Sequence, residues 1–75
     1  MAWELLPSPK QNPDLGRRVE RGWRIKLRTQ DEAFWVRVYD VYLGTFKGRV
    51  VSRPKTVEHG VCVSFDARHI IEVHP

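Results

Sequence analysis

In the run Trp23-Arg24-Ile25-Lys26-Leu27-Arg28, apolar and basic side chains alternate without a fault. A helix would scatter such a pattern around its axis, whereas a strand sends successive side chains to opposite faces. The run therefore predicts a strand with one buried and one solvated face. The same rhythm returns in residues 33–42, rich in aromatic and β-branched side chains, and in residues 45–52 and 61–65. Residues 70–73 close the set as a short strand.

The connections carry their own signals. Leu43-Gly44 suits a tight hairpin turn, because glycine supplies positive φ without steric cost. Gln30-Asp31-Glu32 reads as a polar loop, its two carboxylates explained by a solvated turn. Residues 53–60 form a loop that ends in a glycine turn. Asp66-Ala67-Arg68-His69 is long enough for one helical turn, with Asp66 as its cap. Five short strands with a single turn before the last predict an all-β fold, a small five-stranded SH3-like barrel. Such a sheet wraps on itself and so hides its edges. An OB-like barrel usually needs a longer chain.

Alternation assigns the faces. Trp23, Ile25, Leu27, Phe34, Val36, Val38, Phe46, Gly48, Val50, Val61, Val63 and Phe65 are expected to point inward. A shift of one residue would bury the arginines instead, so the burial pattern also sets the pairing. Residues 1–21 read differently, as an irregular proline-rich N-terminal arm before a barrel domain of residues 22–75. Pro7, Pro9 and Pro13 interrupt any helix or central strand, and Asp14-Leu15-Gly16 reads as a turn. The apolar Trp3, Leu5 and Leu6 are expected to pack over the barrel, with a partner-binding anchor as the alternative.

At 75 residues the chain makes one domain. A chain this short buries only roughly 60–65% of its unfolded surface, which leaves no room for a deep catalytic pocket. Function is then expected on an outer face. Residues 17–55 hold eleven Lys and Arg against four Asp and Glu, while the remainder is net acidic. The positive charge is thus concentrated, and it favours an acidic protein surface or nucleic acid as partner. Arg24, Lys26, Arg28, Arg37, Lys47 and Arg49 come from three consecutive strands and are expected side by side, with Trp35 and Tyr39 among them and Arg53 just beyond. Such a face neutralises phosphates and stacks bases, or anchors an acidic protein. A solvated face that keeps the sheet soluble would use the same residues, and Trp35 could instead lie beneath the arm.

Catalytic and metal patterns were sought in the same residues. Cys62, Asp66 and His69 supply the residue types of a nucleophile, an orienter and a base, but no glycine-rich oxyanion loop accompanies them. His59, His69 and His74 match no standard zinc spacing, and the single cysteine allows neither a disulfide nor a cysteine-rich zinc site. No GxxxxGK[ST] or GxGxxG run is present. The expectation is a protein without catalytic activity, cofactor or small-molecule substrate. The start, Met1-Ala2-Trp3-Glu4-Leu5-Leu6-Pro7, has no basic region followed by a long apolar stretch, and no segment approaches the ~18 apolar residues of a membrane span. A cytoplasmic monomer or weak homodimer follows as the expectation.

Five pieces, in order, resemble a bacterial family of small domains of unknown function, the YegJ-like proteins. They are Gly22-Trp23-Arg24-Ile25-Lys26-Leu27, Glu32-Ala33-Phe34-Trp35-Val36-Arg37-Val38, Phe46-Lys47-Gly48-Arg49-Val50, His59-Gly60-Val61-Cys62-Val63-Ser64-Phe65 and His69-Ile70-Ile71-Glu72-Val73. The resemblance implies a compact, strongly curved sheet and brings no catalytic residues. The basic strand faces and the proline-rich start depart from the family pattern, which leaves a shared partner open. By analogy, a short, basic, free-standing version suits a phage or mobile-element protein that blocks a host complex. The functional expectation is a binding module that docks its basic, aromatic-containing sheet face onto an acidic protein partner. The alternative is a small nucleic-acid-binding barrel.

Overall fold

The computed structural model describes residues 3–9 and 14–75. The expectations for Met1, Ala2 and Pro13 lie outside these residues. A helical turn α1 (Leu15–Arg18) precedes strands β1 (Arg24–Arg28), β2 (Ala33–Tyr42), β3 (Thr45–Val50) and β4 (Cys62–Asp66). A 3-10 turn (Ala67–His69) then leads to β5 (Glu72–His74). All strand pairs are antiparallel, in one sheet of order β4-β3-β2-β1-β5. The fold is therefore all-β. The order leaves β4 and β5 as the two edges, so the ring of hydrogen bonds is not closed. A helical turn also stands at Leu15–Arg18, where an irregular arm was expected.

β2 organises the sheet because it is twice as long as β1. Its first half pairs with β1 from Ala33 to Arg37, and its later part pairs with β3 from Val36 to Tyr42. Inward alternation holds along the first half: Phe34, Val36 and Val38 are all buried. The register then shifts between Val38 and Asp40, leaving Tyr39 as an extra residue. Such a bulge bends the strand and strengthens its twist. It also reverses the parity, so that Val41 rather than Asp40 packs against the core. The hairpin that follows turns at Leu43 (φ 47) and Gly44 (φ 83), both left-handed, as a two-residue turn of type I′ demands.

Ile25, Leu27, Phe34, Val36, Val38, Phe46, Val50, Val63 and Phe65 form the core as alternation predicts, joined by Val19, Val57 and Ile70. Trp23 is half-buried against this cluster. Gly48 is buried because a Cβ there would lie 2.9 Å from Val36 Cγ2 and 3.1 Å from the Arg37 carbonyl oxygen. Val61 departs from the expectation. It precedes β4, lies 37% exposed, and its carbonyl accepts from the Val50 amide. Val57, read as part of a loop, supplies a buried side chain instead.

The carboxylate of Glu32 explains how that loop is held. It accepts from the Thr56 hydroxyl, from the Thr56 amide and from the Lys55 amide at 2.6 Å. The Thr56 hydroxyl, followed by the Lys55 amide, holds the Glu32 carboxyl below its ordinary value of 4.5. A solvated turn does not account for this residue. It tethers the β3–β4 loop, which carries the buried Val57, to the β1–β2 turn.

The N-terminal arm crosses the core side of the sheet. Trp3 meets Phe34 edge-on, with ring centroids 6.1 Å apart, and both Trp3 and Leu5 pack against the core cluster. The Leu6 amide donates to the Arg28 carbonyl at 3.0 Å and the Ser8 amide to the Arg68 carbonyl at 2.7 Å. The packing expectation for the arm thus holds for Trp3 and Leu5. Asp66 caps the 3-10 turn as predicted: its side chain accepts from the Arg68 amide, while the His69 ring accepts from the Asp66 amide. Among the described residues, no helix is long and apolar enough to cross a membrane.

Candidate functional site

The register of the sheet turns a list of basic residues into a line. Arg24 stands opposite Arg37, and Arg37 opposite Arg49. The row continues to His74 on β5 and to Cys62 on β4. Since neighbouring strands lie roughly 4.8 Å apart, three guanidinium stems leave the outer face within about 10 Å. The second row runs Glu72, Lys26, Trp35. Lys47 lies beyond the bulge, opposite Asp40.

The electrostatics of the row are uneven. Among the described residues, the Asp40 carboxylate pairs with Arg21 at 3.6 Å, Asp66 with Arg68 at 3.2 Å, and Glu72 approaches His74 at 4.0 Å. None reaches Arg24, Arg37 or Arg49. Like charges placed directly opposite each other destabilise a sheet by roughly 0.2–1 kcal/mol per pair. The protein carries two such pairs in succession, with Arg37 shared between them.

Both aromatic residues of the face have ring neighbours. The Arg49 guanidinium carbon lies 5.3 Å from the centre of the Tyr39 ring, a cation–π contact. Tyr39 is 41% exposed, and a hydrogen bond with Cys62, followed by partial burial, pushes its phenol above the ordinary value of 10.0. Trp35 meets the His74 ring edge-to-face at 5.3 Å. Trp35 is half-buried on the outer face and does not lie beneath the arm, whose Trp3 packs on Phe34 at the other face.

Beside Trp35 the outer face is concave. A hollow of about 450 Å³ is lined by Arg24, Trp35, Arg37, Val51, Ser52 and His74. The Trp35 and Val51 backbones are tied across it: the Trp35 amide donates to Ser52 Oγ at 2.9 Å and the Val51 amide to the Trp35 carbonyl at 2.9 Å. Ser52, Val51 and His74 were not among the residues expected from the sequence to form the binding face. A signal was present in the exposed β-branched Val51, but its neighbours follow from the pairing of β2 with β3 and of β1 with β5.

Two predicted site residues are placed elsewhere. Arg28 lies on the same strand face but is half-buried, and one of its terminal nitrogens donates to the Pro7 carbonyl at 3.0 Å. Its charge serves to hold the arm. Arg53 is exposed on the β3–β4 loop and pairs with no strand. The face therefore gathers Arg24, Lys26, Trp35, Arg37, Tyr39 and Arg49, with Lys47 at its far end.

Of the trio Cys62, Asp66 and His69, the Asp66 carboxylate lies 3.4 Å from His69 Nδ1, and Cys62 and His69 line one shallow hollow with Trp3 and Ser64. Cys62 stands opposite Arg49 on β3, and the His69 ring nitrogen accepts from the Asp66 backbone amide. The three histidines are separate: His59 Nδ1 lies 2.9 Å from the Ser52 carbonyl, His69 belongs to the capped turn, and His74 meets Trp35. Among the described residues, no three His, Cys, Asp or Glu side chains are grouped as a metal site requires. Compared with known proteins, the chain matches no family model, no curated protein and no solved structure.

Proposed function

We propose that the chain is a non-catalytic binding module whose outer sheet face docks onto an acidic protein surface. The observation that carries this reading is the cross-strand row Arg24, Arg37 and Arg49, which forms no ion pair among the described residues. A sheet that only needed solubility would gain by alternating the signs along such a row, since opposite charges attract across strands. An acidic partner supplies the missing sign and relieves both repulsive pairs at once. Aromatic and arginine anchors then carry most of the binding energy.

A protein partner is favoured over nucleic acid by the state of the two rings. Stacking a base requires a free aromatic face. Arg49 lies over Tyr39, and His74 abuts Trp35. We take the scaffold to be a small, strongly curved barrel of SH3 type, in keeping with the bulged β2 and the single turn before β5. The setting we propose is the cytoplasm, where a phage or mobile-element protein of this kind would block a host complex. That part rests on small size, basicity and the resemblance to the YegJ-like proteins.

The test is capture from a nuclease-treated lysate, comparing the wild type with the triple variant Arg24→Gln, Arg37→Gln, Arg49→Gln. A protein that is retained by the wild type after nuclease, released by raised salt and lost with the triple variant is the expected result. Capture that disappears with nuclease assigns the face to nucleic acid, and capture that ignores the triple variant removes the face from the mechanism.

A further inference from the structure

The hollow beside Trp35 has a composition that selects its occupant. Its floor is apolar, made by Trp35 and the exposed Val51. Its polar groups include three donors in need of an acceptor. Arg24 and Arg37 face each other across β1 and β2 with no carboxylate partner among the described residues. Ser52 Oγ already accepts the Trp35 amide, which leaves its hydroxyl hydrogen to donate outward. Two guanidiniums at adjacent cross-strand positions form a fork suited to the two oxygens of one carboxylate. At about 450 Å³ the hollow has room for more than a lone carboxylate, and its apolar floor stays wet unless an aliphatic group covers it.

Resting on the docking face described above, we propose that this hollow is the receptor for one element of the acidic partner: a Glu or Asp adjacent to a small aliphatic residue. The carboxylate bridges Arg24 and Arg37 and accepts from the Ser52 hydroxyl. The aliphatic side chain covers Val51 and the open edge of Trp35. The proposal gives the face a specificity element that charge alone does not provide. An acidic tract without the aliphatic residue engages the row and leaves the hollow unfilled.

The probe is the peptide acetyl-Glu-Val-Glu-amide, titrated into labelled full-length protein and followed by NMR. The signals read are the Nε–H groups of the arginines, the indole N–H of Trp35 and the methyls of Val51. The expected result is saturable shifts at Arg24, Arg37, Trp35 and Val51, weakened about tenfold or more when the peptide carries Gln in place of Glu. Val51→Glu, an exposed substitution that places a like charge on the floor, abolishes the shifts. Arg18→Gln, on the helical turn outside the row, leaves them unchanged. Equal shifts from the Gln peptide, or from acetyl-Glu-Gly-Glu-amide, overturn the receptor. So do shifts spread evenly over all arginines, and so does a hexamer of thymidylate moving the same signals at lower concentration. If lysate capture needs Arg49 and Lys47 but ignores Val51→Glu, and the peptide moves nothing, the docking face stands and the receptor falls. If capture ignores the whole arginine row, the face falls with it.

Discussion

Replacing Arg37 by threonine should make the protein more stable, although it removes a residue from the middle of the sheet. Arg37 stands directly opposite Arg24 on one side and Arg49 on the other. Each like-charge pair costs roughly 0.2–1 kcal/mol, so removing the shared member of the two pairs relieves about 0.4–2 kcal/mol. Threonine suits an exposed strand position, which keeps the loss of the arginine stem small. A gain of about 1 kcal/mol raises the Tm of a domain this size by about 4–8 °C. Thermal unfolding followed by circular dichroism, at about 20 mM and at 1 M NaCl, reads the effect. The Debye length shrinks to about 3 Å at 1 M, so the advantage of Arg37→Thr should largely vanish there. Arg37→Lys keeps the charge and should melt near the wild type at both salts. A variant less stable than wild type at low salt, or a gap that persists unchanged at 1 M, would refute the reasoning. Either result would mean that the row is not repulsive, and the argument for an acidic partner would lose its base.

Leu43 adopts φ 47 while 87% exposed, a left-handed conformation that costs an ordinary side chain roughly 1–2 kcal/mol. Leu43→Asn should recover part of that and raise the urea midpoint without changing the m value. Gly48→Ala should destabilise by about 1–3 kcal/mol, because its Cβ meets Val36 Cγ2 and the Arg37 carbonyl of the paired strand β2, which cannot move freely; urea unfolding measures it. Glu32 titrates below its ordinary value in the folded state, so its contribution is present above about pH 4.5 and lost as pH falls through the lowered folded value. Acid unfolding of the wild type should therefore steepen in that window, and Glu32→Gln should flatten it while lowering the Tm at pH 7. An acid profile identical in the two proteins would rule out the tether to Lys55 and Thr56.

Much of the strand architecture was legible in local spacing. Period two placed Ile25, Leu27, Phe34, Val36, Val38, Phe46, Gly48, Val50, Val63 and Phe65 inside, because a half-buried strand must alternate wherever water touches only one side. The hairpin at Leu43-Gly44 and the Asp66 cap were legible for the same reason, each being set within four residues. The bulge at Tyr39 was not. A run such as Val38-Tyr39-Asp40-Val41 satisfies alternation either way, and the choice falls to whichever register lets Val41 meet Phe46. Val57 and Val61 exchanged roles because the loop before β4 is shaped by the Glu32 tether, a contact across more than twenty residues.

The candidate site divides along the same line. That Arg24, Lys26, Arg37 and Arg49 leave the outer face follows from the residues themselves, since charged groups cannot enter an apolar core unpaired. That Arg24, Arg37 and Arg49 form one continuous row, that Arg28 turns away to Pro7, and that Val51, Ser52 and His74 complete a hollow around Trp35 follow from register between strands far apart in the chain. Facing is a local property of a strand, set by solvent on one side and core on the other. Neighbourhood across a sheet is set by hydrogen bonds and packing that exist only once the distant segments have met.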